Sequence, residues 1–207
     1  MATRARHAAS RPKGRSATVV RRTKETDITV ELGVDGQGTY AVQTGVPFLN
    51  HMLEIFARHG FFDLSIRATG DVDVDDHHTV EDVGLALGQA FRDALGDKAG
   101  IRRFGEASCP LDEALVNTVV DLSGRPYLAY GVKTKQAKIG AFDVELIHDF
   151  LLAFANQALM NLHVTMLSGR NPHHVVEATF KSFARAMDLA TQREPRVRGV
   201  LSTKGTL

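Results

Sequence analysis

The string His-His-x-x-Glu occurs twice in this chain, as His77-His78-x-x-Glu81 and again 96 positions later as His173-His174-x-x-Glu177. A second copy of so specific a string demands that the surrounding chain be repeated too. Two further alignments support this, Leu32 with Leu122 and His51 with His148, at offsets of 90 and 97 against the 96 of the string itself, a drift that small loop insertions explain. Two copies are too few for a solenoid, which needs several stacked units, so the halves are expected to share one core.

Hydrophobic spacing gives the elements. Thr26 to Leu32 alternates like a strand, Gly33 to Gly38 reads as a turn, and Thr39 to Gln43 returns as a second strand, predicting a β-hairpin. Phe48, Leu49, Met52, Leu53, Ile55 and Phe56 recur at helical spacing up to Gly60, and Asp63 to Ala68 alternates again. After the acidic turn 71–76, Val80, Val83, Leu87, Phe91 and Leu95 mark a helix that Gly96 can end. The second half repeats the order, with strands at 114–122 and 127–132, a helix at 144–159, a strand at 162–166 and a helix after Pro172. The expected class is α/β, an α+β sandwich in which two sheets pack around helices. Its parts are a basic extension at 1–16, a first half at 17–100, and a second half with tail at 101–207, the halves forming one unit.

Several functions are disfavoured by composition. The only cysteine, Cys109, excludes an internal disulfide framework and a thiolate zinc site, and suits a cytoplasmic location. No apolar run is long enough for a bilayer, so no membrane partner is expected. Net charge is only +1, yet residues 1–24 hold Arg4, Arg6, Arg11, Lys13, Arg15, Arg21, Arg22 and Lys24 and no acid at all. A solvated extension explains this run more simply than nucleic-acid binding does.

The chemistry lies in the histidines. In each cassette the first His and the Glu are four residues apart, on one helix face, and can converge on one cation, whereas the second His is rotated by about 100° and must serve another. Adding His51 and His148 gives six imidazoles and two carboxylates, enough for two sites of three His and one Glu. The preferred partition is reciprocal: His77, Glu81, His148 and His174 in one site, His173, Glu177, His51 and His78 in the other. Mixed N/O donors with open positions suit manganese or iron(II) better than structural zinc, and manganese is the first choice. A lone vicinal His pair is more often a cap or surface feature; retention of six of nine histidines at matched positions is hard to explain by packing. His59 and His163 are assigned capping or core-edge roles.

The strings Phe48-Leu49-Asn50-His51-Met52-Leu53, Asp75-Asp76-His77-His78-Thr79-Val80-Glu81-Asp82, Leu111-Asp112-Glu113-Ala114 and Ser202-Thr203-Lys204-Gly205 resemble the imidazoleglycerol-phosphate dehydratase family, from about residue 17 to the carboxyl end. Leu201 departs from the proline expected before the last string. The resemblance implies two ribosomal-S5-domain-2-like halves packed helix to helix, and a carbon–oxygen lyase of histidine biosynthesis with two Mn²⁺ per site. It also implies a homo-oligomer of 24 subunits with sites at subunit contacts. The substrate is imidazole glycerol phosphate and the product imidazole acetol phosphate, by way of a metal-bound imidazolate that expels the neighbouring hydroxyl.

The same resemblance implies roles for other residues. Glu25, in Thr23-Lys24-Glu25-Thr26, becomes the candidate for proton transfer. Arg103, Arg125, Lys181, Ser202 and Lys204 become phosphate-binding candidates. Spacing adds that Lys181 lies one turn beyond Glu177, on its face. Asp82 and Asp112 are candidates for orienting imidazoles. Two other readings compete: a di-iron oxidase or metal-storage protein, which would want a four-helix bundle and more carboxylates, and a nucleic-acid-binding module, which leaves six matched histidines unused.

Overall fold

The computed structural model describes residues 14–207. Two four-stranded sheets enclose four helices. The first half runs β1 (Ser16–Arg22), β2 (Thr26–Gly33), β3 (Tyr40–Gln43), α1 (Pro47–Gly60), β4 (Asp63–Gly70) and α2 (His77–Leu95). The second runs β5 (Phe104–Leu111), β6 (Ala114–Asp121), β7 (Tyr127–Gly131), the short pair β8 (Lys138–Ile139) and β9 (Phe142–Asp143), α3 (Leu146–Ala158), β10 (Asn161–Ser168) and α4 (Pro172–Thr191). Sheet orders are β1-β2-β4-β3 and β5-β6-β10-β7, so the duplication extends to topology.

The expected hairpin of β2 and β3 does not form. β4 inserts between them, antiparallel to β2 and parallel to β3. The intervening loop is held by Asp63 instead, whose Oδ1 accepts from the Gln37 and Thr39 amides, both at 3.0 Å, and from the Thr39 hydroxyl at 2.6 Å. The strand register also needs correction. β2 and β6 begin at residues 26 and 114, an offset of 88, and Arg22 faces Asp27 as Pro110 faces Leu115. Leu32 therefore corresponds to Val120, not Leu122; a two-residue shift keeps the same face inward. The same offset places Glu25 and Glu113 at equivalent positions, each immediately before the second strand of its half.

The boundary of the basic extension moves as well. Residues 1–13 lie outside the described residues, but Arg15 already bonds both Asp35 carboxylate oxygens and the Thr191 carbonyl, and β1 starts at Ser16. β1 and β5, the first strand of each half, were not anticipated by periodicity.

Local chemistry sets the helix starts. Asn171 accepts the His173 amide hydrogen at 3.0 Å and Pro172 supplies a helical φ, so α4 begins with the second histidine pair in its first turn. Asp75 does the same for the His77 amide at 2.8 Å. Gly96, at φ 56°, ends α2. The halves join through helices, α2 against α3 and α1 against α4. Phe56 of α1, Phe91 of α2, Phe154 of α3 and Phe183 of α4 meet at ring separations of 4.9–5.9 Å along the chain of contacts between them. Each is essentially sealed from solvent, so one core spans both copies.

Candidate metal centre

Every matched histidine lies near the amino end of a helix: His51 in α1, His77 and His78 in α2, His148 in α3, His173 and His174 in α4. Because the helices pair across the halves, these ends pair too. At the α1–α4 contact, His51, His173 and Glu177 offer ligand atoms that all lie within 4.8 Å of one another. Glu177 Oε2 is 3.7 Å from His51 Nε2 and 3.3 Å from His173 Nε2, a span that one cation with ligands at roughly 2.0–2.2 Å would bridge. The Phe48 ring meets His173 edge-on at 5.4 Å.

The α2–α3 contact carries the matching residues of the other cassette, but among the described residues only His51, His173 and Glu177 bring three ligand atoms close enough for one ion. His77 Nε2 is 3.7 Å from Glu81, while His77 Nδ1 and His148 Nδ1 approach Asp149 at 3.7 and 3.0 Å. The donors are imidazole and carboxylate with no thiolate, and the imidazoles are close to half exposed, which fits an open-sided hard or borderline cation better than a closed structural zinc.

His78 and His174 stand apart from both clusters, turned away as the helical rotation requires. Each is fixed by a carboxylate at Nδ1: Asp71 at 3.1 Å from His78, and Glu113 at 2.8 Å from His174. These contacts leave Nε2 to face outward, an arrangement that fixes tautomer and ring direction for ligation. Asp71 and Glu113 raise the pKa of their imidazoles, and His174 together with the Asn171 and Arg170 amides holds Glu113 at about 2. Glu177 is also held low, although burial opposes this, because Lys181 bonds it at 2.7 Å.

The imidazole-orienting carboxylates Asp71, Glu113 and Asp149 are thus not the ones expected. Asp82 is buried and spent elsewhere, accepting from Thr26 Oγ1 at 2.5 Å and from Arg21 at 2.8 Å, so it pins β1 and β2 to α2. Asp112, in an exposed left-handed turn, lies 3.9 Å from His174 Nε2, the outward nitrogen rather than the oriented one. Glu113 could have been found from the strand register, which matches it to Glu25; Asp71 and Asp149 had no such signal. The Glu25 carboxylate accepts no hydrogen bond among the described residues, while its backbone carbonyl accepts from the Asp71 amide at 3.1 Å and its charge acts on His78.

The phosphate candidates divide. Lys181 sits at the His173 cluster, paired with Glu177. The others gather at the far end of the helices. Arg103 chelates Asp121 at 2.6 and 3.0 Å, stacks on Phe104, and donates to the Leu201 carbonyl at 2.8 Å. It anchors the tail that carries Ser202 and Lys204. The tail returns over the 121–125 turn, since a Cβ on Gly124 would come within 2.6 Å of Leu207. Arg125, exposed on that turn, has no carboxylate partner among the described residues. The Arg103 amide bonds the Ala190 carbonyl, 17 residues along α4 from His173, about 25 Å at helical rise.

Duplicated sandwich, paired imidazole–carboxylate clusters and a separate cationic edge together define a class: an α/β enzyme with the donor chemistry of a divalent-cation site. The imidazoleglycerol-phosphate dehydratase family model matches residues 44–187. An imidazoleglycerol-phosphate dehydratase of Geobacter metallireducens is 58% identical over 193 residues, covering 93% of this chain and 99% of that protein. One from Pelobacter propionicus is 56% identical over the same coverage. Among solved structures, the dehydratase of Pyrococcus furiosus in complex with (S)-C348 superposes with a TM-score of 0.80 at 41% identity, covering 91% of this chain and all of that one. That of Staphylococcus aureus gives 0.77 at 37%, covering 86% and 98%. The chain belongs to the imidazoleglycerol-phosphate dehydratase family, hydro-lyases of histidine biosynthesis. No helix among the described residues is long and apolar enough to cross a membrane.

Proposed function

We propose that this dehydratase acts on imidazole glycerol phosphate with two divalent cations, manganese by preference, at sites completed between copies of the chain in a homo-oligomer, 24 subunits being the expected assembly. The observation that carries this reading is the separation just described. The imidazole clusters and the Arg103–Arg125–tail group lie at opposite ends of the helices, about 25 Å apart along α4 for His173 and about 16 Å along α3 for His148. One small phosphorylated imidazole cannot touch both ends of one chain, which supports a site whose phosphate-binding edge comes from another copy. The outward Nε2 atoms of His78 and His174 supply the same kind of link, as ligands completing a cluster other than their own.

Bound by the His51–His173–Glu177 and His77–Glu81–His148 groups, such cations would polarise the substrate's imidazole nitrogens and ease ring deprotonation and loss of the adjacent hydroxyl. The protein's own residues do the rest. Glu113 and Asp71 hold His174 and His78 in one tautomer. Glu25, whose charge acts on His78 and whose carboxylate accepts no hydrogen bond among the described residues, removes the proton from the carbon next to the departing hydroxyl, leaving an enol that tautomerises to the ketone. Its equivalent, Glu113, is locked by three donors and cannot serve. Arg125, Lys204 and Ser202 bind the phosphate.

The test is formation of imidazole acetol phosphate by chelator-stripped protein, with and without Mn²⁺. Turnover returning with Mn²⁺ supports the reading; full turnover without any divalent cation refutes the metal dependence.

A further inference from the structure

Lys98 is buried to 5% exposure in the loop between α2 and β5, with a left-handed backbone at φ 61°. No carboxylate lies within ion-pair reach of it among the described residues. Its ammonium instead reaches two carbonyls, Leu122 at 3.3 Å and Leu159 at 3.4 Å. A buried lysine is costly unless its charge is met. Here the carboxyl end of α3, where Leu159 is the cap residue, supplies the negative end of a helix dipole, and the Asp121 charge adds to it.

Those two carbonyls belong to the frame of the cationic edge. Leu122 follows Asp121, the partner of Arg103, and its amide bonds the Arg103 carbonyl at 3.1 Å. Leu159 also accepts from Gly124, the residue before Arg125, at 2.9 Å. Ser123 closes the turn through its hydroxyl, which receives the Arg125 amide at 3.2 Å. Lys98 is thus the buried cation on which the 121–125 turn is built, and the tail rests on the outer side of that turn.

We infer that Lys98 is a positioning residue for phosphate binding, setting the turn that presents Arg125 and seats the Ser202–Lys204 tail; this rests on the reading of that edge as the phosphate site. Lys98 touches no substrate. Its loss should move phosphate affinity while leaving the distant imidazole clusters intact.

The experiment compares wild type, K98M and R125Q in the Mn²⁺-loaded oligomer, measuring KM, kcat, bound manganese and competitive inhibition by inorganic phosphate. K98M should raise KM and the phosphate inhibition constant together by about 10–100-fold, as a misplaced binding group does, with manganese content unchanged. K98Q, shorter and uncharged but polar enough for the site, carries the test if K98M does not fold. Wild-type phosphate inhibition in K98M or K98Q alongside weakened inhibition in R125Q overturns the positioning role alone. Wild-type inhibition in R125Q removes the phosphate site from this edge, and the inference falls with it.

Discussion

Glu113 makes three hydrogen bonds from an exposed turn, and the one to His174 directs an imidazole outward. Replacing Glu113 by Gln removes the charge but little volume. Such partners of a ligating histidine are typically worth 10–100-fold in metal affinity. E113Q should therefore weaken manganese binding by about 10–100-fold in a chelator-competition titration, with folding unaffected. E25Q, at the equivalent position, should leave metal affinity unchanged and lower kcat by about 10²–10⁴-fold, since its carboxylate orients no imidazole. The candidate ligands were legible because a four-residue spacing on a helix is a local fact. Asp71 and Asp149 are close in sequence to His78 and His148, but the contacts depend on a loop before α2 and on a side-chain rotamer, which no periodicity reveals. Lys98 was not legible either, since it meets Leu159 only across 61 residues. Asp82 misled for the same reason, its partners Thr26 and Arg21 lying on other strands.

Helix spacing located α1 to α4, with the start but not the end of α4, whereas sheet order was hidden. A strand's alternation tells which face is inward and nothing about which neighbour it takes, so β2 and β3 looked like a hairpin until β4 came between them. Asp63 at the start of β4 replaces the missing turn contacts. Burial pushes its pKa up, but the Thr39 hydroxyl and the Gln37 and Thr39 amides outweigh it and hold the carboxyl below its usual value. A carboxyl whose folded pKa is depressed contributes stability that is fully present above its unfolded pKa, roughly 3.9, and is lost as pH falls through the folded value. D63N should thus be less stable than wild type at neutral pH, and the difference should shrink below about pH 4 in thermal melts across pH. The α2–α3 contact is equally specific: a Cβ at Gly84 would lie 2.7 Å from the Phe150 carbonyl oxygen. Overpacking there outweighs the helix-propensity gain, and G84A should lose about 1–2 kcal/mol in denaturant unfolding.

At the scale of the whole molecule, duplication explains why one chain carries two related clusters, and helix pairing across the halves explains why each cluster draws on both copies. Of the residues that suit the phosphate only Lys181 is at a cluster, where it is paired with Glu177; Arg103, Arg125 and the tail are at the other end of the helices. The central claim is therefore that a working site joins the histidine edge of one subunit to the arginine edge of another. Mixing two inactive variants tests it most directly. H173A lacks a histidine-edge ligand and R125Q lacks the phosphate donor, so neither alone should turn over appreciably. When the two are dissociated and reassembled together with Mn²⁺, some contacts pair an intact histidine edge with an intact arginine edge, and dehydratase activity should return as the mixing ratio approaches equality. Mixed oligomers that form but stay as inactive as their parents at every ratio would contradict the account.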